Sequence, residues 1–216
     1  MCEGAYSVGG MADLKGMQAL QERYGLYLYI DDSHALSVQG ANGEGYARSV
    51  FTDLSDKTMV VASIAKAFGS TGGIAMTGTS RKYDFLYRSG PLGWSQGLRT
   101  AAIGTSLGSI AVHRTPELGR RQRQLAQNIE IFDRHFKGRE VRGTGGHIKF
   151  VVTGDNDRAV RLATSLYQRG YYCSAMFFPI VARDQAGVRL MLRGDMTSAM
   201  TEEFSAVLED AWNELG

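Results

Sequence analysis

The stretch that decides the fold is Val60-Val61-Ala62-Ser63-Ile64-Ala65-Lys66-Ala67-Phe68-Gly69. Its apolar run is typical of a buried strand in a parallel sheet, and the run ends close to a lysine and a turn of small residues. Lysine is rarely buried without a partner. In a dry pocket it becomes a nucleophile that can form an imine with an aldehyde. Taken alone, Lys66 is more often a strand-end lysine whose ammonium reaches water, so other residues must decide between the two interpretations.

A second apolar run, residues 26–30, ends at Asp31-Asp32-Ser33-His34. Ligands of open α/β sheets bind at the carboxyl ends of the strands, so we expect Asp31 and Lys66 to lie at the same edge of one sheet. Pyridoxal phosphate needs such a pair, a lysine for its aldehyde and a carboxylate that keeps its ring nitrogen protonated. His34 could donate to the phenolic oxygen of the ring and Ser63 to the phosphate, although each alone is more often an ordinary turn or strand residue.

Length and composition narrow the class of protein. The chain has 216 residues and a formal net charge of +2, so no polyanionic partner such as a nucleic acid is indicated. Cys2 and Cys173 provide neither a disulfide framework nor the spacing of a metal site, which fits a reduced, cytoplasmic setting. No apolar run is long enough for a membrane span.

The order of helical and strand patterns predicts an α/β fold, with a mainly parallel sheet flanked by helices and a small α+β domain after it. Composition shifts at residues 138–146, which are rich in glycine and charge. We therefore predict a partial cofactor-binding large domain at 1–138 and a small C-terminal domain at 139–216. The predicted helices are 14–24, 81–87, 95–113, 116–136, 158–169 and 199–215, and the predicted strands are 26–30, 58–62, 73–79, 148–153, 171–175 and 188–192. We expect strand 26–30 to be buried on both faces and helix 95–113 to be buried on all sides.

Three blocks of the chain resemble the fold-type I pyridoxal-phosphate enzymes and, among them, the α-oxoamine synthases. They are Glu3-Gly4-Ala5-Tyr6-Ser7-Val8-Gly9-Gly10, Asp31-Asp32-Ser33-His34 followed by Gly40-Ala41-Asn42-Gly43-Glu44-Gly45, and Ser63-Ile64-Ala65-Lys66-Ala67-Phe68-Gly69 with Gly72-Gly73. The resemblance extends over nearly the whole chain. In combination these blocks are far more specific than a single glycine motif.

The resemblance implies a role for each residue of the set. Lys66 would hold the cofactor as an imine and move the proton at the substrate α-carbon, Asp31 would pair with the ring nitrogen, and His34 would contact the phenolic oxygen. Ser63 would bind the phosphate, and Ser7 would also approach the cofactor. No metal ion is implied.

The resemblance also implies a homodimer and a reaction. Ser95 would correspond to a hydroxyl residue that reaches the phosphate in the neighbouring subunit. The reaction would be the decarboxylative condensation of an amino acid with an acyl-CoA thioester. An aminotransferase shares the lysine and the aspartate and stays open as the alternative, although His34 after the Asp-Asp-Ser run favours the synthase.

Two departures from the family pattern qualify this interpretation. Family members are about twice as long, and the N-terminal half that holds a ring-stacking aromatic residue has no counterpart here. We therefore expect a fragment that needs a complementing N-terminal segment, or a chain that is inactive and only dimerises. The second departure is Met191, which stands where the family has the arginine that binds the substrate carboxylate. Arg189 or Arg193 could bind this carboxylate instead, or the amino substrate could differ. Arg189 could also form an interdomain salt bridge.

Overall fold

The computed structural model describes residues 1–215, which form two compact units. Unit 1 consists of Met1–Ala5 and Met11–Gly119, and unit 2 consists of Tyr6–Gly10 and the described residues from Arg120 onward. The helix that contains Gly119 and Arg120 begins in unit 1 and continues in unit 2. The domain boundary that we predict at 138/139 follows the end of this helix, and it stays a prediction.

Unit 1 contains a four-stranded sheet in the order β1-β2-β3-β4, in which the first three strands are parallel and the fourth is antiparallel. Ile30 lies opposite Val60 and Asp31 opposite Val61. The elements are β1 (Cys2–Glu3), α1 (Leu14–Tyr24), β2 (Leu28–Asp31), α2 (Tyr46–Val50), β3 (Thr58–Ser63), β4 (Gly73–Thr77), α3 (Arg81–Arg88), α4 (Gly90–Trp94) and α5 (Thr100–His113).

Local sequence signals explain where these elements begin and end. Asp13 accepts a hydrogen bond from the Gly16 N–H (2.9 Å) and so caps α1, which ends where Gly25 takes the left-handed conformation that favours glycine. The predicted helix 95–113 begins only at Thr100. Pro91 lies in the first turn of α4, a short helix that the sequence did not predict, and the extended backbone at Ser95 ends it.

Two predictions about burial in unit 1 are wrong. Ile30 is fully buried, but Tyr29 is 41% exposed, so β2 is not covered on both faces. Helix α5 also differs from the predicted buried helix, because only Ala102 is buried and Leu107 is 62% exposed. The apolar composition of these segments is typical of elements that are covered by another layer of protein. The described part of the chain contains no layer that covers them.

Unit 2 is an antiparallel sheet in the order β5-β6-β8-β7 with three helices. Phe150 and Val152 of β6 pack with Val181, and Val8 from the N-terminal segment joins the same cluster. The elements are α6 (Pro116–His135), β5 (Val141–Arg142), β6 (Ile148–Gly154), α7 (Asn156–Gln168), β7 (Ser174–Met176), β8 (Ala186–Met191) and α8 (Ser198–Asn213). The parallel and antiparallel sheets with their helices confirm the predicted fold class. No helix among residues 1–215 combines the length and hydropathy needed to span a bilayer.

An ion pair with a fully buried lysine anchors one loop of unit 2. The Lys149 side chain is completely inaccessible, donates to Asp133 and to the Gly143 carbonyl (2.9 Å), and lies over the Phe132 ring. Asp133 also accepts a hydrogen bond from the Gly145 N–H (2.7 Å). Burial lowers the pKa of Lys149, and Asp133 opposes that shift. The pair therefore ties the glycine loop between β5 and β6 to helix α6.

Removing the two partners of this pair should have unequal effects on stability. Asp133→Asn leaves the inaccessible ammonium without a counter-charge, so we expect the free energy of unfolding to fall by about 3–5 kcal/mol. Lys149→Met should cost less than half of that, because Asp133 is partly exposed and keeps its bond to Gly145. Urea unfolding of the two variants measures the difference. Equal losses, or a larger loss for Lys149→Met, would contradict this account of the pair.

Candidate functional site

The ends of two parallel strands bring half of the predicted site residues to one edge of the unit 1 sheet. Strand β2 ends at Asp31 and β3 ends at Ser63, and the parallel register places Asp31 opposite Val61. The half-buried His34 lies in the turn after β2, and Lys66 lies in the loop after β3. Because parallel strands share their carboxyl edge, these four residues are carried by two adjacent connections, as the sequence predicts.

Ser33 joins these two connections directly. The Asp31 carboxylate accepts a hydrogen bond from the Ser33 N–H (2.9 Å), and the Ser33 hydroxyl oxygen accepts one from the Ser63 N–H (2.8 Å). The Ser63 hydroxyl oxygen in turn accepts from the Ala65 N–H (3.2 Å), which shapes the start of the lysine loop. Ser33 therefore sets the position of the Asp31 carboxylate relative to that loop.

Helix α5 holds the far side of the lysine loop. The Ser109 hydroxyl donates to the Phe68 carbonyl (2.7 Å), and the Ser70 hydroxyl donates to the Ala102 carbonyl (2.9 Å). The Gly69 N–H donates to the Lys66 carbonyl (2.9 Å), which closes a tight turn at the lysine. The Lys66 side chain is exposed in the described chain, so an aldehyde in solution can reach its ammonium.

Asp32 is a further charged residue at this edge, and the sequence predicts no role for it. Its side chain is 1% exposed, and one carboxylate oxygen, Oδ2, accepts a hydrogen bond from the Ala47 N–H (3.0 Å) at the start of α2. The other oxygen, Oδ1, has no hydrogen-bond partner among the described residues. The sequence carries one signal for this contact, because Gly45, the N-cap residue of α2, has no side chain with which to cap the helix.

The environment of Asp32 changes its acidity. Burial raises the pKa of this carboxyl to about 6, and the neighbouring Asp31 charge adds to the shift. Hydrogen bonds from the Ala47 and Tyr46 N–H groups oppose it. Asp32 therefore holds its proton at a higher pH than an ordinary aspartic acid.

The remaining predicted site residues lie elsewhere in the chain. Ser95 is exposed and follows helix α4 in unit 1. Ser7 lies in the N-terminal turn that belongs to unit 2, where the Tyr6 N–H donates to the Gly10 carbonyl (2.9 Å). Arg189 is on β8 of unit 2, and Arg193 follows that strand. The roles predicted for these four residues stay predictions.

The arginines of unit 2 differ in their surroundings. Arg193 donates two hydrogen bonds of 2.8 Å to Asp195, in a fork-like arrangement with both side chains exposed. Arg189 lies 3.3 Å from the Met191 sulfur. Burial, together with the charges of Arg189 and Lys149, lowers the pKa of His147 to about 4. His147 is therefore neutral at physiological pH.

Comparison with known proteins assigns the family. Residues 8–208 match the family model described as aminotransferase class I and II. The chain belongs to this family. The match extends through both units, which agrees with the resemblance found from the three sequence blocks.

Two curated members of the family show what the chain is similar to. It is 31% identical over 195 residues to the 8-amino-7-oxononanoate synthase of Salmonella typhimurium, which covers 88% of this chain and 49% of that protein. It is 27% identical over 224 residues to the 8-amino-7-oxononanoate synthase of Alkaliphilus metalliredigens, covering 99% of this chain and 54% of that protein. The chain thus spans about half the length of the curated relatives it matches.

Solved structures of the same type share the fold. A serine palmitoyltransferase from S. paucimobilis with bound PLP–myriocin aldimine superposes with a TM-score of 0.87 at 21% identity, covering 100% of this chain and 55% of that one. The 8-amino-7-oxononanoate synthase of Francisella tularensis gives a TM-score of 0.79 at 18% identity, covering 99% and 62%. The predicted fold is therefore confirmed by structures as well as by sequence.

Asp32 and His147 should affect the free energy of unfolding in opposite directions as the pH changes. The pKa of Asp32 is raised from near 3.8 to about 6 in the folded chain, so its contribution to stability is complete below about pH 4 and is lost as the pH rises to about 6. The loss is on the order of 3 kcal/mol. The pKa of His147 is lowered from 6.5 to about 4, so its contribution is present above about pH 6.5 and is lost as the pH falls to about 4.

These two contributions can be separated by urea unfolding of the original chain, Asp32→Asn and His147→Asn. The measurements should extend from about pH 4 to about pH 8, which includes both pKa values. Relative to the original chain, Asp32→Asn should become more stable as the pH rises, and His147→Asn should become more stable as the pH falls. A difference that does not change with pH for either variant would show that the group is not buried as described.

Proposed function

We propose that the chain provides the lysine-bearing part of a pyridoxal-phosphate-dependent transferase that condenses an amino acid with an acyl-CoA thioester. The products would be an α-oxoamine, carbon dioxide and the free thiol. The observation that carries the proposal is the shared edge of β2 and β3, where Asp31 and the Ser63–Lys66 loop are joined through Ser33. The names of the curated relatives support the class of reaction, and the family match supports the cofactor.

The groups at this edge fit pyridoxal phosphate chemically. Lys66 is exposed, so its amine can reach the aldehyde carbon. Ser63 uses its oxygen to accept from the Ala65 N–H, which leaves its O–H hydrogen able to donate to a phosphate oxygen. Asp31 is held in orientation by Ser33, as a carboxylate that must face one ring atom should be.

Each residue would then have a defined task. The bound cofactor supplies an electron sink for negative charge at the substrate α-carbon. Lys66 holds the aldehyde carbon and moves the proton at the substrate α-carbon, while Asp31 keeps a proton on the ring nitrogen. His34 donates to the phenolic oxygen, and Ser63, with Ser7, binds the rest of the cofactor. Ser95 would serve the phosphate of a second subunit in a homodimer.

Arg189 or Arg193 would bind the substrate carboxylate. Arg193 donates two hydrogen bonds to Asp195, which a substrate carboxylate would have to displace. Arg189 lies beside the sulfur of Met191.

An aminotransferase is the second candidate, and the family description favours it. It would use Lys66 and Asp31 in the same way but return a keto acid rather than consume an acyl thioester. Incubation of the cofactor-loaded protein with amino acids and acyl-CoA distinguishes the two reactions. Release of free CoA supports the synthase, and keto-acid formation without CoA release supports the aminotransferase.

A further segment of protein would complete the site. The exposed apolar residues of α5, including Ile103 and Leu107, and the half-length match to the relatives both favour a complementing N-terminal half. The alternative is a chain that is inactive and only dimerises. Turnover by the 216-residue chain alone would exclude both the requirement for that segment and the inactive alternative.

Lys66→Ala should abolish covalent capture of the cofactor. Incubation with pyridoxal phosphate should produce the visible absorbance of a lysine imine, and borohydride reduction followed by peptide mapping should place the label on Lys66. Lys15→Ala is the matched control, because Lys15 is also exposed but lies on α1, away from the strand ends. The control should keep the absorbance and the label. Equal labelling of the two lysines, or labelling that survives Lys66→Ala, would refute the proposed site.

A further inference from the structure

We propose that Asp32 is a positioning residue of the candidate cofactor site, whose buried carboxylate holds the turn carrying Asp31 and His34 against the start of helix α2. This inference rests on the proposed function. It assigns to Asp32 no contact with substrate or cofactor. Its effect would pass through the residues on either side of it.

The backbone of Asp32 is held within the turn. Its N–H donates to the Val61 carbonyl of β3 (2.7 Å), which continues the parallel pairing one residue beyond Asp31. Its carbonyl accepts from the N–H groups of Ala35 and Leu36, both at 3.0 Å. The direction in which the Asp31 and His34 side chains leave the chain is therefore coupled to the position of Asp32.

The carboxylate then attaches this turn to a distant helix. Gly45, the residue before helix α2, offers no side-chain cap, and Asp32 Oδ2 accepts a hydrogen bond from the N–H of Ala47 (3.0 Å). Asp32, which lies 13 positions before Gly45, thus accepts the hydrogen bond that an N-cap residue would accept from the first turn of α2.

Two glycines provide the space that the carboxylate occupies. A Cβ on Gly4 would lie 2.1 Å from Oδ1, and a Cβ on Gly45 would lie 2.2 Å from Oδ2. Gly45 also has φ +91, which disfavours any other residue, but Gly4 has no such backbone restriction. Alanine at Gly4 would therefore disturb the carboxylate while leaving both its charge and the local backbone preference unchanged.

The charged and titratable groups with an electrostatic effect on or from the carboxylate include the Asp31 carboxylate on the same turn and the Cys2 thiol on β1. The Asp32 charge raises the pKa of the Cys2 thiol, after the larger effect of burial. A buried carboxylate with one oxygen lacking a hydrogen-bond partner destabilises the fold. The acceptor oxygen that joins the turn to the start of α2 offsets this cost.

The first experiment compares Gly4→Ala with Gly104→Ala in the 216-residue chain. A Cβ at Gly104, within α5, would meet no atom within 4 Å, so this control adds the same methyl group without a clash. The dissociation constant for pyridoxal phosphate, measured on folded protein, should rise about ten-fold in Gly4→Ala and stay within about two-fold in Gly104→Ala. Equal affinities for the two variants would overturn the proposal.

The second experiment tests whether the acceptor atom of Asp32 is what matters. Asp32→Asn keeps a carbonyl oxygen for the Ala47 N–H, so its affinity for pyridoxal phosphate should stay within about two-fold, while Asp32→Ala should lose about ten-fold. A purely structural role predicts lower melting temperatures for both variants, with unchanged affinity in the molecules that remain folded. That outcome would overturn the proposal.

Backbone amide resonances test the positioning role of Asp32 independently of cofactor binding. If the original chain binds no pyridoxal phosphate, the proposed function is wrong, and the backbone amide shifts of Ser33 and Ser63 then decide the positioning role. Shifts that move in Gly4→Ala and Asp32→Ala, but not in Gly104→Ala, would support it. Shifts that stay in place in all the variants would contradict it.

Discussion

The parallel pairing of β2 with β3 is the constraint on which the candidate site depends. It brings Asp31 level with Val61, so the two following connections leave the sheet at the same edge. A slip of one residue would reverse which side chains face the core and would separate the Ser33 hydroxyl from the Ser63 N–H, now 2.8 Å apart. Burial of Ile30 and Val60, which lie opposite each other, opposes such a slip. The chemistry at the edge therefore depends on apolar contacts within the sheet.

Each unit buries a charged side chain, and the two are accommodated differently. Lys149 in unit 2 has a counter-charge and a carbonyl as partners, so its ammonium is held in one arrangement. Asp32 in unit 1 has no counter-charge among its described partners, so burial, with the like charge of Asp31 beside it, raises the pKa of its carboxyl even though N–H donors oppose the shift. The first arrangement ties a loop to a helix. The second joins a helix to the turn where the predicted cofactor contacts lie.

The sequence predicts the parts of this site that depend on strand ends and misses those that depend on distant partners. Asp31 and Lys66 follow apolar runs, and such runs end at a common edge whenever the strands are parallel and adjacent. The bond from Ser63 to Ser33 joins residues thirty positions apart, and its existence follows from the register, which periodicity does not give. The burial of Asp32 depends in the same way on Gly4 and on the start of α2.

The exposure of helix α5 does not follow from its composition. The residues of α5 have the apolar character of a buried helix, yet Leu107 and Ile103 face outward in the described chain. The inner side of α5 is defined by the Ser109 hydroxyl, which donates to Phe68 of the lysine loop, and by the Ala102 carbonyl, which accepts from Ser70 of that loop. The loop therefore sets the orientation of the helix. The side that remains apolar is then the side away from the loop. Protein that covered this side would therefore pack against the support of the lysine loop without touching the sheet edge at Asp31.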